Sequence, residues 1–530
     1  MFLRKTLIAS LLASVQFAHG NTSFPPSELA NIKRLQASSL ATDSECACNI
    51  LTKLFDNKLY ENGSEIYKAE STHYWNARGT PLPRCVFVPT DPNEVAQAVV
   101  TLGLCKSQFA VRGGGHMPVP GAANTDGGVL VAMSSFKEIK VADDEQSVDA
   151  GAGLNWHELY SVIEPRGLIV VGGRLKTIGI AGLTLGGGIS YFTSKYGFAM
   201  DNVRAYEVVT ASGAIITASA TSDPDLFWAL KGGGNNFGIV TKFTLAAYKA
   251  PKVSAGLAIH TEADVDKYIT ALADFANHHE EIDSGAGGIF VLLVIPGKPE
   301  TQAVQQGVTV MVRTVQIGDV VNPAVFENFT SLPHVFSQYT VSSLAQYVEP
   351  LDSAYQAGSE IFGTHSMLVD EAAIRRMWDT FKEATEKMKH IQGFYTAFTS
   401  QPISQSAARI AKTNGVGNTW DIDDNKPYLW WIISTHWANS SDDAEVIAWQ
   451  KNIREKLHAM NVEAGVALDF VYMNDAADDQ DPFAALPPAN LERLKKIRDQ
   501  YDPEFVFTDL VGGFKLDGNS ASREWKKDEL

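Results

Sequence analysis

The sequence is short of positive charge. Its 530 residues carry 44 Lys and Arg against 61 Asp and Glu, a formal net charge of −17. That balance argues against nucleic acid or an anionic membrane as partner, because both reward basic surfaces. Long apolar runs are scarce too: beyond the first residues no stretch approaches the roughly 20 apolar residues that cross a bilayer as a helix. No membrane anchor is therefore expected in the mature chain. Cysteine is limited to Cys46, Cys48, Cys85 and Cys105. The Cys46-x-Cys48 spacing lacks a matching second pair, so no metal site is expected. Internal repeats and low-complexity tracts are missing. No glycine run is closed by Gly-Lys-Ser/Thr, which excludes a P-loop. None opens a helix directly after a strand with an acidic residue at the dinucleotide spacing, which excludes the dinucleotide fingerprint.

What is present begins with a targeting pattern. Arg4 and Lys5 precede a short apolar run over residues 6–15, and Ala18 and Gly20 supply small residues for cleavage, so 1–20 reads as a signal peptide. Four glycosylation sequons, at Asn21, Asn62, Asn328 and Asn439, agree with secretory entry. An even cysteine count in an oxidising compartment suggests one or two disulfides. Cys46 and Cys48 are too close to bond each other without strain, so one or both should reach Cys85 or Cys105, with the pairing open. Lys527-Asp528-Glu529-Leu530 matches the retention signal of the endoplasmic reticulum. It predicts residence in the ER lumen, with the KDEL receptor as a partner, and otherwise secretion.

Residues 21–70 read as helical and irregular. Asp91-Pro92 has the chemistry of a helix start, an N-cap carboxylate before a proline, and Val95, Val99, Val100 and Leu102 continue an apolar face. From 127 to 250 short strands prevail: Val129–Met133, Leu168–Val171, and Tyr206–Thr210 hairpinned through Ala211–Gly213 to Ala214–Thr217. After Pro251, amphipathic helices appear at 264–277, 371–387 and 442–460, among strand-like runs at 289–295, 308–315, 428–435 and 466–472. The pattern predicts an α+β protein with two domains, the second an antiparallel sheet with segregated helices.

Phe109-Ala110-Val111 runs as a buried strand into Arg112-Gly113-Gly114-Gly115-His116. Three glycines let the backbone turn with positive φ and approach something flat or anionic, and their successive N–H groups form a nest suited to a pyrophosphate. His116 stands at its lip. Further clusters follow at Gly179, Gly182 and Gly186-Gly187-Gly188, and at Gly232-Gly233-Gly234 with Gly238. Three such loops among strands suggest that backbone wraps a large ligand in several places.

These motifs, with Lys195-Tyr196-Gly197, Asp201-Asn202-Val203, Asp225–Ala229, Phe237-Gly238-Ile239-Val240 and Tyr501-Asp502-Pro503, resemble the berberine-bridge-enzyme-like flavoproteins of the vanillyl-alcohol-oxidase (PCMH-type) FAD fold. The match runs in order over roughly residues 70 to 515. The resemblance implies a two-domain PCMH-type FAD-binding fold: an N-terminal segment (21–78), an FAD-binding domain (79–251), a substrate domain of antiparallel sheet covered by helices (252–474), a C-terminal return to the FAD domain (475–515) and a tail (516–530). It implies FAD between the domains, contacted by Arg112, Gly113, Gly114, Gly115, Thr177, Gly179, Gly182, Gly186, Gly187, Gly188, Val240 and Asn474, and bonded through its 8α carbon to His116. The second, cysteinyl bond of some members needs a cysteine just before Thr177. Leu175-Lys176 stand there, so one covalent bond is expected. Ile178 occupies the position that influences oxygen access in the family; it is neither the valine of oxidases nor the leucine of dehydrogenases, and O2 is the expected acceptor.

Taking a hydride from an alcohol or amine carbon to flavin N5 leaves an O–H or N–H proton that needs a base. In Tyr472-Met473-Asn474 the family pattern puts Asn474 against the flavin and Tyr472 in the substrate pocket. A strand would set both on one face. His436 is a second base candidate, and Asp421 and Asp423 are weaker ones. The first functional reading is oxidation of a small organic metabolite in secondary metabolism. The alternatives are a carbohydrate oxidase, with Trp420, Trp430 and Trp431 stacking on sugars, and a non-catalytic flavin or ligand binder.

Overall fold

The structure is a computed structural model describing residues 21–38, 43–250, 252–297, 306–351, 358–413 and 415–518. The expected signal peptide and the Lys527–Leu530 signal lie outside these residues. Among the described residues the strands form three sheets. The first holds β1 (Leu59–Glu61), β2 (Cys85–Phe87), β3 (Phe109–Arg112) and β4 (Val129–Ala132) in the order β1-β2-β4-β3. β4 runs parallel to both β2 and β3. The helix Pro92–Cys105 makes the crossover, starting where the sequence predicts: Asp91 caps it by accepting from the N–H groups of Asn93 and Glu94. Its Val95, Val99 and Leu102 are fully buried.

The second sheet is antiparallel and comprises β5 (Ile139–Val141), β6 (Ser147–Gly151), β7 (Leu168–Val170), β8 (Val203–Val209), β9 (Ile215–Ser219) and β10 (Ile239–Lys249). The expected hairpin is β8–β9, turning at Gly213 with φ of 79°.

The third sheet contains β11 (Val253–Thr261), β12 (Ala286–Ile295), β13 (Gly307–Ile317), β14 (Phe336–Ser342), β15 (Ser359–Ile361), β16 (Thr364–Leu368), β17 (Tyr395–Ile403), β18 (Tyr428–Trp437) and β19 (Ala467–Leu468). Its order is β14-β11-β13-β12-β17-β18-β16-β19, with β15 also on β18. Helices Val265–Asp283, Glu371–Thr385 and Asp443–Glu463 pack on one face. Side-chain alternation divides the sheet. Leu429, Trp431 and Ile433 of β18 join the helix-covered core, whereas Ile432 and Ser434 look to the opposite side, where the site lies.

The strand expected at 466–472 stops at Leu468. The ladder position beyond it is taken: the Gln480 side chain accepts from the Thr364 N–H at 3.0 Å and donates to the Thr364 carbonyl at 2.7 Å. With β16 capped, the chain leaves the sheet and Met473–Asp475 form a 3₁₀ turn.

Two disulfides settle the open cysteine pairing: Cys46–Cys105 and Cys48–Cys85. They tie the helix Asp43–Leu54 to the crossover helix and to β2. Such bonds fit an oxidising, secretory-type environment. Asn21, Asn62, Asn328 and Asn439 are all exposed. Closing the 37-residue separation of Cys48 and Cys85 removes chain entropy from the unfolded state worth about 4 kcal/mol at most. The Cys48→Ser/Cys85→Ser double variant should therefore unfold several degrees below the parent in a thermal melt followed by circular dichroism.

Candidate active site

The site starts where β3 ends. Arg112 closes the strand, but its guanidinium turns away from the open space. It is 2% exposed, pairs with Glu70, and donates to the Gly113 carbonyl at 3.3 Å. Arg112, expected at the cofactor, is not among the described residues lining the cleft; its guanidinium anchors the turn by pairing with Glu70, as a buried guanidinium requires a carboxylate partner. Gly113, Gly114, Gly115 and His116 follow and line a cleft of about 420 Å³.

The floor of the cleft is a contact between two backbones. A β-carbon on Gly114 would lie 2.5 Å from the Gly179 nitrogen, and one on Gly179 would lie 2.5 Å from the Gly114 nitrogen. The second loop is held to the sheet behind it by hydrogen bonds from Trp156 N–H to the Ile178 carbonyl and from Ile180 N–H to the Leu154 carbonyl, both 3.0 Å. Gly179, Gly182 and Gly186 line the cleft, with open space over Gly182. Any side chain at Gly186 would collide with the Asn474 amide. Gly187 and Gly188, expected at the cofactor, are not among the described residues lining the cleft. They adopt φ of 105° and 82° and pack against Trp420 and Ala199, so their freedom serves the turn rather than the cleft. Gly234 and Gly238 of the third glycine cluster line the wall with Val240.

His116 is half-buried, and its ring stacks on Trp75 at 4.8 Å and 12°. Thr177 stands outside the lining with its Oγ1 3.3 Å from His116 Nε2. Burial lowers the imidazole to about 4, so it is neutral at physiological pH.

Tyr472 and Asn474 converge as expected, but through the 3₁₀ turn. The Tyr472 hydroxyl accepts from the Ile189 N–H at 3.2 Å and from Asn474 Nδ2 at 2.9 Å. Asn474 Nδ2 also donates to the Leu183 carbonyl at 3.0 Å. Burial pushes the Tyr472 phenol well above its ordinary range. His436 lies on β18 two residues past Ser434 and outside the cleft lining. It stacks on Tyr395 and sets Nδ1 3.3 Å from the buried Glu360 carboxylate. Trp420, Trp430 and Trp431 are 4%, 1% and 0% exposed and belong to the core. Asp421 is exposed on its loop and Asp423 accepts there from Asn425.

Four cleft residues escape the sequence reading. Asp475 follows Asn474, and its Oδ2 accepts from Gln401 Nε2 at 2.8 Å. Gln401 in turn accepts from Arg174. Asp475 is the one carboxylate and Arg174 the one guanidinium among the described residues lining this cleft. Burial lifts the Asp475 carboxyl to about 6 against the pull of Arg174 and Gln401. A 3₁₀ turn repeats every three residues, so Tyr472 and Asp475 fall on one side; the expected strand would have separated them. Gln401 sits on β17, a strand the apolar pattern does not announce. Trp75, whose Nε1 is buried without an acceptor among the described residues, carries no local motif.

A long cleft walled by glycine backbone from three loops, closed by a sheet carrying polar groups and holding a half-buried neutral imidazole, defines a flavin-binding oxidoreductase fold. Residues 83–219 match the FAD binding domain family. The FAD-dependent monooxygenase prx3 of Penicillium roqueforti is 32% identical over 494 residues, covering 90% of this chain and 94% of that protein. In fold the chain is similar to 6-hydroxy-D-nicotine oxidase from Arthrobacter nicotinovorans, with TM-score 0.71 and 21% identity, covering 91% of this chain and 99% of that one. It is equally similar to berberine bridge enzyme, with TM-score 0.71 and 17% identity, covering 88% and 98%. The chain belongs to the family of FAD-linked oxidoreductases that includes this Penicillium enzyme, and its fold is that of the berberine-bridge-enzyme-like oxidases.

The residues present fit FAD. Glycines leave backbone exposed along the cleft, and Gly182 faces open space. The Gly114–Gly179 contact gives a direct test. Gly114→Ala forces a methyl into backbone that cannot yield as a side chain could. It should leave a folded protein with less than about a tenth of the parent's flavin, a loss of roughly 1.4 kcal/mol or more in binding, measured as visible absorbance per mole of purified protein.

Proposed function

We propose that the protein oxidises a neutral, largely apolar small molecule of secondary metabolism by two electrons, using FAD held through one covalent bond to His116, with O2 as acceptor. On this reading residues 79–251 and 475–515 hold the cofactor and 252–474 shape the substrate side. The observation that carries it is the meeting of His116, Tyr472, Asn474 and the Arg174–Gln401–Asp475 chain on one cleft. When bound, the flavin would supply the two-electron acceptor.

The chain's own groups divide the remaining work. Asn474 fixes the phenol of Tyr472 and braces the 183–189 loop. Tyr472 accepts two hydrogen bonds, so its own O–H is left to donate toward a substrate oxygen or nitrogen. A phenol pushed above its ordinary range is a poor base. Asp475, poised near neutrality, is the better acceptor for the substrate proton, with Arg174 compensating the charge through Gln401. His436 does not reach the cleft and acts as a partner to Glu360. Ile178 lines the cleft and supports access by O2.

The substrate side is framed by Ile289, Phe362, Thr399, Gln401, Ile432 and Ser434. That surface suits an apolar molecule with a single polar handle. It disfavours the carbohydrate reading, since all three tryptophans proposed to stack on sugars are buried. The full set of polar groups likewise disfavours a non-catalytic binder. The monooxygenase name of the Penicillium relative raises oxygen insertion as the second outcome. Release of hydrogen peroxide, against 18O from 18O2 in the product, separates the two.

Two measurements test the reading. Acid precipitation should leave yellow flavin in the parent's pellet, and the His116→Ala variant should release it all to the supernatant. Thermal melts should report Asp475. Its native carboxyl binds a proton more tightly than the unfolded one, so this group lowers stability as pH rises from the ordinary carboxylate range through about 6. Asp475→Asn, which cannot titrate, should match the parent near pH 4 and melt progressively higher than it up to about pH 6, with a constant difference beyond.

A further inference from the structure

We infer that Trp75 is a positioning residue for covalent flavin attachment, holding the His116 ring in the orientation from which its nitrogen bonds the cofactor. This rests on the proposed link to His116 and adds a residue upstream of the matched FAD binding domain.

The geometry is over-determined. Trp75 donates its backbone N–H to the Gly115 carbonyl at 3.1 Å, and Gly115 has to lack a β-carbon because the His73 carbonyl occupies that space. The next residue, Asn76, donates to the Glu360 carbonyl at 2.9 Å and to the Pro118 carbonyl at 3.3 Å. Ala77 N–H donates to the Gly358 carbonyl at 3.2 Å. The segment thus straps the histidine turn to the third sheet. The Trp75 indole lies nearly parallel over the imidazole, and the Phe362 ring lies against it, tilted by 49° with 5.2 Å between ring centroids.

A histidine's ring torsion is broad and sets no orientation by itself. A stacked indole removes that freedom, and Thr177 at Nε2 fixes the ring's rotation in its plane. Burial keeps the ring neutral, so its nitrogen lone pair is available as a nucleophile. In attachment, a C–N bond forms between the imidazole and the 8-methyl carbon of the isoalloxazine. One C–H bond and the imidazole N–H bond break. The two electrons and two protons released reduce one O2 to hydrogen peroxide.

The test compares the parent, Trp75→Leu and Trp75→Phe as purified, reading total flavin by visible absorbance and acid-stable flavin by precipitation. Trp75→Leu should keep the parent's total flavin while its acid-stable share falls about tenfold or more, as expected when a reacting group loses its orientation. Trp75→Phe, which keeps an aromatic face, should restore most of it. An unchanged acid-stable share in Trp75→Leu would overturn the inference, and so would a proportional loss of both quantities, which marks a merely structural role. If Trp75→Leu does not fold, Trp75→Met carries the same two readouts. Flavin released by acid from the parent itself would instead remove the covalent reading on which the inference stands.

Discussion

Gly114 and Gly179 touch backbone to backbone, and the cleft follows from that contact. One belongs to the turn leaving β3, the other to a loop bonded to Leu154 and Trp156 beside the second sheet. With no side chain between them, two sheets meet at peptide distance and leave a wall of N–H groups and α-carbons. The 3₁₀ turn Met473–Asp475, beyond the third sheet, completes the enclosure in the same manner, since Asn474 lies against Gly186 where any larger residue would exclude it. Cofactor surface and substrate surface are thus fixed relative to each other by the absence of β-carbons at three positions rather than by a network of charges.

Charge is used sparingly in the interior. The surface carries the net −17 of the sequence, while His116 is held neutral and Asp475 is held close to its titration point. Lys515 is another buried ion of this kind: it donates to Asn235 at 2.9 Å, and burial lowers it to about 7. Removing water from a charged group favours its neutral form, which is the direction all three groups take.

Much of the fold was legible because local chemistry decided it. Asp91-Pro92 announces the crossover helix, the Ala211–Gly213 turn announces a hairpin, and the glycine turn after Val111 announces the cleft. What escaped was decided by distant residues. The 466–472 strand is cut short by Gln480, a side chain from beyond it. That in turn made the 3₁₀ turn, and so Asp475, invisible to a strand-based reading. Arg112 reads as a ligand residue in its motif, but Glu70, from a different helix, claims it. Gly187 and Gly188 look identical to Gly186 in sequence, and only the packing of Trp420 and Ala199 distinguishes them. The cysteine pairing needed the helix Asp43–Leu54 in place before either bond could be chosen.

The Cys48–Cys85 bond closes a covalent ring around residues 49–84, and Trp75 is inside it. Its indole reaches His116 only when the N-terminal segment is folded back onto the glycine turn, which is the arrangement this ring enforces. The packing of this indole over the glycine turn is thereby tied to an oxidising folding environment, since the tether exists only once the two thiols are joined.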